Sequence, residues 1–221
     1  MQKLVSLLFI LFISLWSSDE PIKCQQQNIL AKHAGHYTNT ELWNNLSKER
    51  NWASINKQDN NEIISLDLDE RVGINAYTNW HDGTIHPTCS SVVKNKLWVI
   101  NEYTNKWEGP FLRVGKAFDE NAIYFKRLFQ NKCYKDELNQ KWCFKNSEIK
   151  INNKKFKVEL MLDTVEIPLY GSAVSLEDNM SMLWMFVPYE KGYKVFQDTA
   201  ITDENHKKIN PLTNKPWHIL Q

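Results

Sequence analysis

The stretch SEIKINNKKFKVELML, residues 147–162, alternates apolar and polar residues on both sides of a short polar turn. The turn is NNK at residues 152–154. The apolar residues that flank it at every second position are Ile149, Ile151, Phe156, Val158, Leu160 and Leu162. An alternation of period two is typical of strands that bury one face, and two such runs joined by a short turn predict a β-hairpin. This stretch therefore indicates antiparallel β-structure.

Short apolar runs of the same kind recur along most of the chain. They occupy residues 64–68, 72–76, 90–103, 106–118, 121–133, 140–146, 181–189 and 193–198. Together they predict about nine or ten strands with mostly short links and no helices between them. Parallel strands need long crossover connections, so these strands must be antiparallel. Two architectures fit, a closed up-and-down β-barrel of about 8–10 strands and a two-sheet β-sandwich, and sequential hairpins favour the barrel.

One short N-terminal helix is predicted, within HAGHYTNTELWNNLSKERNW at residues 33–52. Thr38 and Glu41 have the spacing of a capping box, which marks the start of a helix. The apolar side chains that would line one side of the helix are Leu42, Trp43 and Leu46. Because the helix spans only about three turns, we expect it to cover one end of the barrel.

The chain opens with MQKLVSLLFILFISLWSSDE, a short basic start followed by an apolar run and then small and acidic residues. This order is typical of a secretory signal peptide, and the run is too short for a membrane span. We predict an exported protein without a transmembrane span, composed of a signal peptide (1–18, with cleavage between residues 17 and 24), a linker (19–34), one barrel domain (35–200) and a C-terminal strap or tail (201–221). With 27 basic and 26 acidic residues, the chain lacks the basic excess that a nucleic-acid partner requires.

Four cysteines, an even number in a chain with a signal peptide, favour disulfides over metal thiolates. Cys133 and Cys143 flank YKDELNQKW, a stretch that reads as a hairpin and would hold them face to face. We pair these two, and Cys24 with Cys89 by default. The alternative for Cys24 is a lipid anchor, because bacterial lipoproteins carry a lipid on a cysteine just after the signal. Cys89 would then be a free thiol.

The densest group of chemically active residues is TNWHDGTIHPTC, at residues 78–89. Its Asp-Gly pair suits a tight turn between two strands. Such a turn would place Trp80, His81 and His86 at one rim of the barrel. A further tyrosine, Tyr170, precedes a polar loop that could form a second part of the rim. The candidate ligand contacts are therefore Tyr37, Trp80, His81, His86 and Tyr170.

Two other kinds of chemistry can be built from the same residues. A metal site needs three or four converging ligands, and the alternative set is His36, His81, Asp82 and His86. A hydrolase or metal-dependent enzyme would centre on His81 and His86, although the sequence has no Gly-x-Ser-x-Gly nucleophile motif. The carboxylates of Asp67 and Asp69 alternate with leucines, which predicts that they lie on the solvent face of a strand. We predict no cofactor and no catalytic residue.

A family resemblance is carried by Gly35-His36-Tyr37 near the start of an exported chain that continues as an antiparallel meander. This pattern, which covers most of residues 30–200, resembles the lipocalin or calycin superfamily and is similar to uncharacterised bacterial lipocalin-like exported proteins. The first motif of that family is Gly-x-Trp, and Tyr37 stands at the Trp position here. The resemblance implies a barrel that binds a ligand, and it fixes no ligand.

The aromatic content separates the functional hypotheses. The chain has 9 Trp, 8 Tyr and 10 Phe, side chains that combine a large apolar surface with a polar group. Lining an open barrel, they would hold a small apolar or amphipathic ligand, and this non-enzymatic binding is the function that we predict. If Trp98, Trp142, Trp184 and the neighbouring Phe residues fill the core instead, the chain would be a protein- or glycan-interaction module.

Overall fold

The computed structural model describes residues 22–52, 63–69, 73–78, 84–85, 87, 89–102, 104–161, 171–199 and 215–221. Their secondary structure is mostly antiparallel β-sheet with a few short helices, and two sheets contain all of the strands. This architecture confirms the fold class predicted from the sequence. The predicted signal peptide lies outside the described residues.

The first sheet is formed by the N-terminal half of the chain. Its strands are β1 (Gly35–Asn39), β2 (Ile63–Asp69), β3 (Gly73–Thr78), β4 (Thr84–Ile85), β5 (Ser90–Val93), β6 (Lys96–Asn101) and β7 (Lys106–Gly115). The order across the sheet is β4-β3-β2-β1-β7-β6-β5, and every neighbouring pair is antiparallel. The central position of β1 means that residues just after the N-terminal linker organise this sheet.

The second sheet is an up-and-down barrel. Its strands are β8 (Cys133–Lys135), β9 (Lys141–Lys145), β10 (Glu148–Ile151), β11 (Lys154–Leu160), β12 (Ser172–Leu176), β13 (Asn179–Tyr189), β14 (Gly192–Thr199) and β15 (His218–Leu220). They pair in the order of the sequence. The hairpin predicted over residues 147–162 is β10–β11, with Ile149 opposite Phe156 and Ile151 opposite Lys154.

The two edges of this second sheet meet. The backbone N–H of Lys135 donates to the carbonyl of Gln221, and the N–H of Gln221 donates to the carbonyl of Lys135, both at 2.9 Å. These reciprocal bonds join β8 to the end of β15 and close the barrel. The C-terminal residues, which we expected to form a strap or tail, therefore supply the closing strand.

The predicted N-terminal helix is present as α2 (Thr40–Glu49), after the short helix α1 (Gln27–Leu30) and a 3₁₀ turn (Ala31–His33). Its cap is Asn39, whose side chain accepts from the N–H groups of Glu41 and Leu42. The capping role predicted for Thr38 is wrong, because that residue still belongs to β1. The apolar face is as predicted, with Leu42 and Leu46 buried.

A second long helix, α3 (Glu120–Phe129), stands where the sequence predicted a strand. Its buried side chains are Tyr124, Phe125, Leu128 and Phe129, which have the i, i+1, i+4, i+5 spacing of one helical face. The strand prediction for residues 121–133 is therefore wrong, and so is the expectation that no helix lies between the strands. The aromatic and β-branched residues of this run favour strands locally, but burial of one helical face prevails.

The main core fills the barrel and extends to α2 and α3, while a smaller cluster lies in the first sheet. The side chain of Arg50, just after α2, donates to the carbonyls of Glu190 and Lys191 at 2.7 Å. Since Glu190 and Lys191 form the turn between β13 and β14, α2 is fixed at that end of the barrel, which we call the helical end. Of the tryptophans predicted to fill the core, Trp142 and Trp184 are buried and Trp98 is half-buried.

Both predicted cysteine pairs are present. Cys133 and Cys143 lie directly opposite each other in the β8–β9 ladder, with Cα atoms 4.0 Å apart. Cys24 is joined to Cys89, and the Cα atoms are 5.2 Å apart. The Cys24 sulfur, the atom to which a lipid would be attached, is thus bonded to another cysteine.

The residue after Cys24 lies along β5. Gln25 donates its backbone N–H to the carbonyl of Ser90, and its side-chain amide both donates to and accepts from the backbone of Val92. The N-terminal segment is therefore hydrogen-bonded to the outermost strand of the first sheet. In the described part of the chain, no helix has the length and apolar character needed to cross a membrane.

Candidate functional site

Most of the residues predicted to contact a ligand fall outside the described part of the chain. They are Trp80, His81, Asp82, His86 and Tyr170. Tyr37 is described, and it is buried in the core of the first sheet. Its hydroxyl donates to the carbonyl of His33 at 2.7 Å, and burial raises its pKa, although Arg113 opposes this effect. Tyr37 thus has a packing role in the first sheet.

His36, the other described member of the predicted sets, is the centre of a buried polar network. Its Nδ1 lies 2.9 Å from Asp67 Oδ1, and its Nε2 lies 3.1 Å from the hydroxyl of Tyr124. A carboxylate can only accept, so Nδ1 carries a proton and donates to Asp67, and Nε2 is hydrogen-bonded to the tyrosine hydroxyl. Both imidazole nitrogens are therefore used within the protein.

The network continues to the start of α3. Ser65 donates to Glu120 Oε1 at 3.2 Å, and that carboxylate lies 4.0 Å from His36 Nε2. Burial raises the pKa of Glu120, with His36 and Ser65 opposing and Asp67 reinforcing the rise. Burial also raises the pKa of the Tyr124 hydroxyl, with help from Glu120. These bonds join β1 and β2 of the first sheet to α3.

The predicted solvent position of Asp67 and Asp69 is wrong, because their exposed fractions are only 2% and 6%. For Asp67 the reason is the turn before α3, which lies against this residue of β2. The backbone N–H of Phe118, in that turn, donates to Asp67 Oδ1 at 3.1 Å. The aspartate thus accepts from a histidine and from the backbone, and holds the helix against the sheet.

The geometry of Asp67, His36 and Tyr124 has the order of a catalytic triad, carboxylate to imidazole to hydroxyl. The three side chains are buried, however, and the imidazole has no nitrogen left to act on a substrate. A general base must reach the proton that it abstracts. The Glu120 side chain is only partly exposed, at 28%. The network is therefore suited to joining elements of the fold.

A second group of interest lies at the end of the barrel opposite the helices. It consists of Trp142, Phe156, Trp184, Trp217 and His218, and we call it the tryptophan end. Trp217 has its ring centroid 5.9 Å from that of Trp142, 5.7 Å from that of Trp184 and 4.4 Å from that of His218. Phe156 adds an edge contact with Trp184. These side chains come from β9, β11, β13 and β15 with the residue before it, so the cluster forms only when β15 closes the barrel.

Carboxylates border this cluster. Asp136 accepts from the backbone N–H groups of Leu138 and Gln140 and from the indole N–H of Trp142. Although burial opposes the change, Trp142 and the backbone donors lower the pKa of Asp136. Glu137 accepts from the N–H of Ile219 at 2.9 Å, and this bond lowers its pKa against the effect of burial. Both groups are therefore ionised at neutral pH and fixed in place.

Two buried nitrogens of the tryptophan end have no hydrogen-bond partner. They are the indole Nε1 of Trp184 and the Nδ1 of His218. His218 Nδ1 nevertheless lies 3.1 Å from Asp136 Oδ2 and 3.5 Å from Glu137 Oε1, within ion-pair distance of both carboxylates. Beside these groups the structure exposes large apolar side chains, since Leu138 is 67% exposed and Trp217 is 41% exposed.

The sequence contained a partial signal for this site. It pointed to Trp142 and Trp184 as core residues, and both are. It did not connect them with Trp217 and His218, which lie in the tail, or with Asp136 in the β8–β9 turn. That connection arises only when β15 closes the barrel, a pairing between residues far apart in the sequence. The Trp-His pair in the tail was the available clue.

Among the residues that the structure describes, no three His, Cys, Asp or Glu side chains are grouped so as to hold a metal ion. The predicted ligand set around His81 and His86 lies outside them. No family model, no curated protein and no solved structure matches this chain.

Proposed function

We propose that this chain is an exported, non-enzymatic interaction module whose filled barrel supports a contact surface at its tryptophan end. The observation that carries this proposal is the packing around Phe144, whose ring is buried inside the barrel. The rings around it belong to Phe125, Phe129, Tyr134, Phe186 and Tyr193, with centroids 4.6 to 6.4 Å away. Such separations are those of aromatic rings in direct contact.

A barrel that carries a ligand needs roughly 300–1,000 Å³ of interior space. Here the helical half of the interior is occupied by rings from four strands and from α3. One of these rings belongs to Tyr193, and its hydroxyl group is also hydrogen-bonded, because it donates to the carbonyl of Leu128 at 2.8 Å. This packing supports the filled-barrel hypothesis. Binding of a small apolar or amphipathic ligand inside the barrel, which the lipocalin resemblance implies, stays a prediction.

Two further observations support the proposal. Disulfides are stable in oxidising compartments, and both disulfides of this chain fit an exported protein. Exposed aromatic and aliphatic side chains grouped on one surface mark interaction sites. Leu138 and Trp217 are both exposed, and the hydrogen bond between Glu137 and Ile219 joins the two segments that carry them. The alternative of an enzyme centred on His81 and His86 stays a prediction, because both histidines lie outside the described residues.

The test is native mass spectrometry of the mature protein, purified from the exported fraction of its host with both disulfides intact. We expect the mass of the bare chain, unchanged after denaturation. A matched variant, Phe144→Ala, opens a space inside the barrel, and it should retain added indole as a small apolar probe while the wild-type protein does not. An organic mass that the wild-type protein loses only on denaturation would overturn the filled-barrel proposal.

A further inference from the structure

Trp217 is the most exposed ring of the tryptophan end, whereas Phe156 is half-buried and has the ammonium group of Lys154 4.8 Å from its ring centroid. Trp142 and Trp184 pack against it but are themselves buried. Because its neighbours hold it on one side, the exposed part of the indole is presented to solvent in a fixed position. A single fixed aromatic surface suits stacking against one flat apolar face, whereas an aromatic cage for a quaternary ammonium group needs several accessible rings.

The polar groups beside Trp217 require a partner that both donates and accepts. Glu137, whose carboxylate is half-exposed and already oriented by the N–H of Ile219, can only accept. The indole N–H of Trp184 can only donate, and it is buried without an acceptor. A buried donor left without a partner costs about 1–3 kcal/mol, so an acceptor supplied from outside is favourable.

A hydroxyl group is both donor and acceptor, whereas an ammonium group only donates and a carboxylate only accepts. A compound that carries hydroxyl groups around a ring with an apolar C–H face is a saccharide. We propose that the tryptophan end binds a saccharide, with Trp217 as the stacking surface and Glu137 as the acceptor of its hydroxyl hydrogens. This inference rests on the proposed interaction module and names the chemical class of its partner.

The indole N–H of Trp184 lies behind the stacking ring, with the two ring centroids 5.7 Å apart, and a water fixed by a bound hydroxyl supplies its acceptor. Asp136, with its four accepted bonds, holds the β8–β9 turn and so positions Glu137. An alkyl ligand would cover the half-exposed Glu137 carboxylate and give it no donor beyond the N–H of Ile219, which is unfavourable.

The experiment is a glycan array of natural oligosaccharides probed with the fluorescently labelled mature protein. We expect capture of at least one saccharide by the wild-type protein. Trp217→Ala should weaken that binding by more than tenfold, and Glu137→Gln, which keeps an oxygen for the N–H of Ile219, should weaken it by about tenfold. Phe118→Ala removes another exposed aromatic ring, far from the site, and should bind as the wild-type protein does.

Folding of each variant is checked by its near-ultraviolet circular dichroism. If Trp217→Ala does not fold, Trp217→Phe and Glu137→Gln carry the test. An array without any captured saccharide, or equal capture by wild-type protein and Glu137→Gln, overturns the inference, and so does tight binding of tetramethylammonium in place of a sugar. A different result would contradict the proposed function. It is an organic compound that the wild-type protein releases only on denaturation and that the Trp217→Ala variant still binds.

Discussion

Phe144 of β9 and Phe129 of α3 stack nearly parallel, with ring centroids 4.6 Å apart and planes inclined by only 9°. The stack links the barrel wall to the helix that closes its helical end. It also places Phe129 within contact of Phe186 and Tyr193, on the opposite strands. The interior of the barrel and the helix are thus one packed unit.

Phe144→Ala should therefore destabilise the whole fold. Removing a buried Phe side chain costs about 3–5 kcal/mol, because transfer energy is lost and a cavity remains. Urea unfolding followed by tryptophan fluorescence measures the change. Phe118→Ala, at a side chain that is 55% exposed, serves as the control and should shift the free energy of unfolding by less than about 0.5 kcal/mol. Equal effects of the two variants would contradict the tight packing of Phe144 inside the barrel.

Tyr124→Phe should destabilise the protein by about 1–3 kcal/mol, since it leaves His36 Nε2 buried without its hydrogen-bond partner. The ring itself is retained, so a loss would report on the hydroxyl alone. Tyr189→Phe, at a half-buried tyrosine of β13, is the matched control and should be nearly neutral. If both variants unfold at the same urea concentration as the wild-type protein, the bond between α3 and β1 contributes nothing to stability.

The raised pKa of Glu120 predicts how stability changes with pH. A carboxyl group whose pKa is higher in the folded state binds its proton more tightly there, so its favourable contribution is complete below the unfolded pKa of about 4.5. That contribution is lost as the pH rises through the folded pKa. Glu120→Gln removes this dependence. Relative to the wild-type protein, the variant should therefore gain stability between pH 4 and pH 7.

Urea unfolding of both proteins at several pH values checks this prediction. The control is Glu177→Gln, a change at an exposed carboxylate paired with the exposed Lys157, where the stability difference from the wild-type protein should stay small across the range. A wild-type protein that gains stability over Glu120→Gln as the pH rises would reverse the sign expected from burial.

The two disulfides should contribute unequally. Cys24–Cys89 spans 65 residues and Cys133–Cys143 spans 10. In the chain-entropy account, these loops correspond to about 4 and about 3 kcal/mol of stabilisation. Replacing each pair by serines and measuring the free energy of unfolding compares them directly. A larger loss for the short loop would show that local strand pairing, rather than loop closure, determines their contribution.

The strands and hairpins could be predicted because their signal is local. Residues 147–162 carry both the alternation and the turn of β10–β11, and the pairing of Cys133 with Cys143 follows from the neighbouring hairpin. The apolar face of α2 was equally readable. In each case a short stretch of consecutive residues is enough to predict the local structure, and no contact with a distant part of the chain has to be known.

The two wrong predictions, a strand at α3 and a solvent position for Asp67, depend on each other. The residues of α3 have strand-like composition, and only their packing onto the barrel and β2 favours a helix. A strand over residues 121–133 leaves no helix beside Asp67, and the alternation with leucines then predicts that this aspartate faces solvent. The tryptophan end was missed for a similar reason, because Trp217 meets Trp142 only through the closing strand.

The contact of Gln25 with β5 has a further consequence, for aggregation. A strand at the edge of a sheet offers unpaired backbone groups to other chains, and β5 is the outermost strand on one side of the first sheet. Gln25 occupies backbone groups of Ser90 and Val92, and the bond between Cys24 and Cys89 keeps it there. Reduction of that bond should release this cover and let molecules associate edge to edge, so the disulfide protects solubility as well as stability.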